Sequence, residues 1–112
     1  MIDIDEKVLF GRLFAFYGNL LTDKQREIFD CFFYEDYNLT EIGDRFGVSK
    51  QAVRDILTRT CDRLRDLERS LGLLAQFERM HNICESAMQA LDKGELDAVR
   101  SDLALLSSIL EE

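Results

Sequence analysis

The sequence contains no proline and no tryptophan, only six glycines and a single histidine in 112 residues. Turn-rich all-β proteins draw heavily on proline and glycine. Their scarcity beside abundant Leu, Ala, Arg, Glu and Asp predicts an all-α fold. Cys31, Cys61 and Cys84 are odd in number, widely spaced and lack a C-x-x-C pair, which excludes a disulfide framework and a structural zinc site. They read as small, partly buried apolar side chains. His81 has no partner that sequence spacing would bring beside it, and phosphate loops, paired carboxylates and metal-ligand motifs are missing. The expectation is a helix-surface histidine in a protein that is not an enzyme and uses no metal or cofactor. No apolar run approaches the ~20 residues of a membrane span. The start, Met1-Ile2-Asp3-Ile4-Asp5-Glu6, is acidic where a secretory signal is basic. A soluble, cytoplasmic protein without membrane contact is therefore expected.

Basic charge is also in short supply. Fourteen Lys and Arg face 22 Asp and Glu, giving a net charge of −8. Nucleic-acid binders usually displace counterions from phosphates with a basic surface, so the bulk charge argues against loose DNA binding. The distribution changes that reading. Residues 72–112 hold three basic and eight acidic side chains, net −5, whereas residues 49–69 hold six basic and four acidic, net +2.

What is present is apolar periodicity. The chain is 46% apolar, enough for a core, and its length fits a single domain over 1–112. Residues 7–20 carry Val8, Leu9, Phe10, Leu13, Phe14, Phe16, Tyr17 and Leu20, apolar on nearly every side of a helix that other elements should cover. Thr22 and Gln25 form a capping-box pair opening a second helix to about Glu35, facing inward through Ile28, Phe29, Phe32 and Phe33. Asn38 and Glu41 form another such pair, and Gly47 ends the short helix that they start. Ser49 caps a long helix with apolar positions Val53, Leu57, Thr60, Leu64, Leu67 and Leu71. After Gly72, Leu73, Leu74, Phe77, Met80, Cys84, Met88 and Leu91 form one stripe. Asp92-Lys93-Gly94 is a turn, and Leu96, Val99, Leu103, Leu106 and Leu110 form a second stripe. This predicts an acidic αα-hairpin over 72–112 behind a core of 22–71.

The informative stretch runs from Asn38 to Arg54. Two helices crossing through a tight turn need a small residue at their contact, a glycine in the turn and apolar anchors on both sides. Gly43, Gly47, Ile42 and Val53 meet those needs in order, with Phe46 and Val48 beside them, so the segment reads as a helix-turn-helix. Its second helix should turn Ala52, Val53, Ile56, Leu57 and Thr60 inward and leave Ser49, Lys50, Gln51, Arg54, Asp55, Thr58 and Arg59 outward. Glutamine pairs bidentately with adenine and Arg or Lys with guanine. Ser49 and the free amides of a helix start take a phosphate. Asp55 either accepts from a cytosine amino group or repels the backbone. The candidate DNA-binding residues are Ser49, Lys50, Gln51, Arg54, Thr58 and Arg59.

The run Leu21-Thr-Asp-Lys-Gln-Arg-Glu-Ile-Phe29, followed by Asn38-Leu-Thr-Glu-Ile-Gly-Asp-Arg-Phe-Gly-Val-Ser-Lys-Gln-Ala-Val-Arg-Asp-Ile56, resembles the YlxM family of small helix-turn-helix proteins. Its helix-turn-helix is similar to region 4 of bacterial sigma factors. The resemblance covers essentially the whole chain and implies double-stranded DNA as partner, with a regulatory role. It also implies a link to the signal recognition particle pathway, and a protein-interaction module docking on components of that particle is the alternative reading. Arg54 and Leu57 depart from many relatives. The long apolar series also leaves a homodimer open beside intrachain packing.

Overall fold

The computed structural model describes residues 4–111. Among them the chain forms six α-helices and no strand: α1 (Ile4–Tyr17), α2 (Asp23–Phe33), α3 (Leu39–Phe46), α4 (Lys50–Leu71), α5 (Leu73–Asp92) and α6 (Leu96–Leu110), with a 3₁₀ turn at Gly18–Leu20. None of these helices is long and apolar enough to cross a membrane. The chain divides into two compact units, Met1–Gly72 and Leu73–Glu112.

In the first unit the helix starts are fixed locally. The Gln25 amide donates to Thr22 Oγ1 at 3.2 Å while the Thr22 amide donates to Gln25 Oε1 at 3.1 Å. Asn38 and Glu41 repeat the reciprocal arrangement at 2.8 and 3.1 Å. Each pair satisfies two amides that a helix start would otherwise leave open. Asn38→Ala is expected to lower the unfolding free energy by about 1 kcal/mol. Urea denaturation measures this, and an unchanged midpoint would remove the cap from the account of α3.

The long helix α4 is the axis of this unit, and α1, α2 and α3 all pack against it. Its buried line is Val53, Leu57, Thr60, Cys61, Leu64 and Leu67, whereas Leu71 at the helix end is exposed. The 22-residue helix then closes at Gly72, which takes the left-handed φ of 65°. Across from α4 an aromatic cluster fills the core. Phe29 stacks on Phe14 at 4.5 Å and on Phe33 at 4.0 Å between ring centroids, with Phe10 edge-on to Phe33 at 6.2 Å. A partly buried hydrogen-bonded tie, Tyr17 Oη to Glu68 Oε1 at 2.6 Å, joins α1 to the far end of α4.

Two expectations are corrected by burial. The first concerns α1, which is not covered all round. Phe10, Leu13 and Tyr17 are buried where α4 and the rings of α2 meet the helix, but Val8, Leu9 and Phe16 are exposed, as is Leu20 just past it. The second concerns the hairpin. α5 and α6 do pack together, joined by bonds such as Glu95 N to Ala90 O at 2.9 Å. Leu74 is buried at the start of α5, but the protected line beyond it is Met80, Ile83, Ala87 and Ala90, and that of α6 is Ala98, Asp102, Leu106 and Ile109 with Val99 alongside. Most of the two stripes read from the sequence, including Cys84, Met88, Leu91, Leu96, Leu103 and Leu110, is exposed. Each helix carries two apolar stripes, and a period alone does not say which one meets a neighbour.

Candidate nucleic-acid interface

The site is assembled by the contact between α3 and α4. Gly43 is buried, and a Cβ added there would stand 2.7 Å from the backbone oxygen of Val48. Only a hydrogen at this position lets the turn lie so close to α3. The Gly43 carbonyl accepts from the Val48 amide at 3.0 Å and from Gly47, which holds the left-handed φ of 69°. Ile42 and Val53 are fully buried and fasten the two helices below the turn. Ile42, Gly43 and Val53 are thus buried around the turn, while Gly47 reverses the chain in open space.

The start of α4 is set by Ser49, whose Oγ accepts from the Ala52 amide at 3.0 Å. The hydroxyl is thus occupied as a cap, and the Lys50 and Gln51 amides remain in the first turn without an intrahelical acceptor. Ser49, Lys50, Gln51, Arg54, Asp55, Thr58 and Arg59 are all exposed. Gln51 Nε2 donates to Asp55 Oδ1 at 3.0 Å, so this carboxylate holds the glutamine side chain along the helix. Thr58 Oγ1 donates to the Arg54 carbonyl at 3.0 Å, which commits its proton within the helix and leaves the hydroxyl oxygen outward. Arg54 and Thr58 also line a cleft of about 690 Å³ with Phe10, Phe32, Leu57 and Cys61.

The cations sort into two groups. Arg65 and Arg69 sit on Asp62 and Asp66 at 4.0 and 2.8 Å, and Arg65 also lies over the Phe10 ring at 4.7 Å. Arg45 of α3 pairs with Glu35 at 3.5 Å and stands near the Tyr37 and Phe46 rings. Lys50, Arg54 and Arg59 hold no ion pair among the described residues, and neither does Arg63, one turn beyond Arg59 and also exposed. Sequence reasoning passed over Arg63, although its i+4 spacing from Arg59 is a readable signal. The free positive charge of α4 thus lies on the outer face from the capped start onward.

The thiols behave as the apolar surroundings dictate. Cys31 and Cys61 are buried and Cys84 is exposed. Burial pushes the Cys61 thiol up to about 11, against a weaker opposing pull from Arg65. Cys31 is raised for the same reason, with Arg45 opposing. One fast-reacting thiol per folded chain, Cys84, is expected at neutral pH, and the other two should react only in denaturant. A thiol-reactive chromophore counts them. Because the folded Cys61 value lies above the ordinary 9.0, its contribution to stability is complete below pH 9 and is lost as the pH climbs through about 11.

A chain that is helical throughout its described elements, with a capped short helix, a glycine turn and a capped long helix bearing an exposed basic face, is a helix-turn-helix protein. The model of the family described as "Putative helix-turn-helix protein, YlxM / p13 like" matches residues 4–102, and the chain belongs to that UPF0122 family. Among its relatives, UPF0122 protein STH1464 of Symbiobacterium thermophilum is 40% identical over 94 residues, which cover 84% of this chain and 88% of that protein. UPF0122 protein BH2485 of Halalkalibacterium halodurans is 39% identical over 107 residues, 95% of each chain. A UPF0122 protein of Staphylococcus carnosus reaches 44% over 77 residues, 69% of this chain and 70% of its own.

Proposed function

We propose that this protein binds double-stranded DNA as a regulator, laying the first turns of α4 in the major groove. The observation that carries the reading is the set Lys50, Arg54 and Arg59, exposed and, among the described residues, without ion pairs on the outer face of the second helix of a helix-turn-helix. In this geometry the N-terminal residues of the second helix meet base edges while the first helix crosses the backbone. Lys50 and Arg54 supply guanine contacts and Gln51 an adenine contact once Asp55 releases it. The Lys50 and Gln51 amides with Ser49 take a phosphate. With so few cations, affinity depends on specific contacts and falls steeply with salt. A selection from random duplexes at low salt, followed by salt titration of the enriched sequence, is the test. Enrichment of one motif with a steep salt slope is expected, and no retained duplex at low salt would overturn the reading.

A second reading has its own support in the net −5 of residues 72–112, which suits a protein partner better than a phosphate backbone. In that reading the chain docks in the cytoplasm on a component of the signal recognition particle pathway. Capture of those components by the tagged protein, persisting in high salt and in nuclease, would favour it over DNA. Their absence would remove it.

A further inference from the structure

The hairpin of α5 and α6 carries apolar surface that its own packing does not use. Met88, Leu91, Leu96, Leu103 and Leu110 are between 57% and 75% exposed, and Cys84 is exposed with them. Helical geometry places these residues together. At about 100° per residue, Cys84, Met88 and Leu91 lie roughly a quarter turn from the protected line of α5, and Leu96, Leu103 and Leu110 lie roughly a quarter turn from that of α6. Antiparallel helices reverse the sense of rotation, so both quarter turns fall on the same side. The tight turn at Lys93 and Gly94 between antiparallel helices puts Leu91 level with Leu96, and Cys84 about level with Leu103, along the hairpin axis. Leu96, Leu103 and Leu110 repeat every seven residues, as do Cys84 and Leu91, which is the register that a further helix fits. Two packed helices with one shared apolar side form an unfinished bundle.

Charge selects the occupant. The hairpin holds eight acidic and three basic residues. Glu85 and Asp92 stand a heptad apart on the outer edge of the α5 stripe, and Glu95 is beside the turn, while the α6 edge carries Arg100 and Ser107. A second copy would bring two hairpins of net −5 together, with Glu85, Asp92 and Glu95 beside the groove of each, whereas a positively charged helix gains attraction along the same edge. We infer that this side of the hairpin is a docking groove for a basic amphipathic helix of a partner protein. The inference stands apart from the DNA reading, because it uses no residue of α3 or α4.

The test uses the full chain and a fluorescent synthetic leucine-lysine helix matching the 15 residues of α6, with a leucine-glutamate isomer as control. The lysine peptide is expected to raise anisotropy on binding and to slow alkylation of Cys84, the one exposed thiol. Leu103→Ser and Met88→Ser keep the charge and remove apolar area, so each should weaken peptide binding by about tenfold. Circular dichroism verifies that both variants stay helical, and duplex DNA binding by them should be unchanged. Equal binding of the glutamate peptide would overturn the groove, as would serine variants that bind the lysine peptide undiminished, since bulk charge would then explain the signal. A dimer of the free chain in sedimentation that Leu103→Ser dissolves would overturn it in favour of a second copy.

Discussion

Gly43→Ala is expected to lower the unfolding free energy by about 2–3 kcal/mol and to disturb the setting of α4 against α3. The new methyl carbon would stand 2.7 Å from the Val48 carbonyl oxygen, with the Ser49 and Lys50 backbone at 3.5 and 3.6 Å. All three contacts are main chain, so relief requires the turn itself to move and cannot come from a side-chain rotamer. Gly47→Ala is the natural comparison. Nothing lies within 4 Å of a Cβ there, and the cost is the left-handed φ of 69° alone, about 1 kcal/mol. Urea unfolding of both variants measures the difference. Equal midpoint shifts would show that the close approach at position 43 costs no more than the left-handed φ at position 47, and would overturn this ranking. A Gly43→Ala protein that remains folded should also lose DNA affinity, because the displaced turn carries the first turn of α4 with it.

The second large effect falls on the interface. Removing Lys50 and Arg54 together by alanine substitution should weaken duplex binding by about a hundredfold and reduce the log–log salt slope by about 2. Both side chains are exposed and neither holds an ion pair among the described residues, so stability should hardly change. The contrast is Arg69→Ala. That arginine is engaged with Asp66 at 2.8 Å and should affect the salt slope little. Fluorescence anisotropy across a salt series reads both quantities. An undiminished slope in the double variant would move the contact elsewhere and strengthen the protein-docking reading.

Much of the helix-turn-helix was legible because its signals are local. Thr22 with Gln25, Asn38 with Glu41, and Ser49 each cap the helix that follows them within one turn, and such bonds need no tertiary partner. Gly43, Gly47, Ile42 and Val53 were readable for a related reason, since one short turn fixes the distance between two successive helices. Outward placement of Lys50, Gln51, Arg54, Thr58 and Arg59 then follows from the helical period once Val53 and Leu57 are known to be buried.

Other features depended on residues far apart in the chain. The bond from Tyr17 to Glu68 spans 51 positions, and nothing in either neighbourhood announces it. Asp36 takes a left-handed φ of 57° and pairs with Lys7 at 2.8 Å, a conformation that an aspartate tolerates but does not advertise. Arg65 and Arg69 pair with i−3 aspartates, whereas Arg54 and Arg59 hold no ion pair among the described residues, and composition counts all four alike.

By itself the sequence determined the all-α class, the helix starts, the glycine-dependent turn and the outward basic face of α4, because capping, backbone conformation and the 3.6-residue period act over a few positions. Tertiary structure alone decided which apolar stripes become core. α1 keeps Val8 and Phe16 exposed, and the hairpin buries Ile109 while exposing Leu96, Leu103 and Leu110. Leucine on one flank of a helix is chemically the same as leucine on the other. Burial is a property of the surface that arrives opposite, and that surface comes from a different part of the chain.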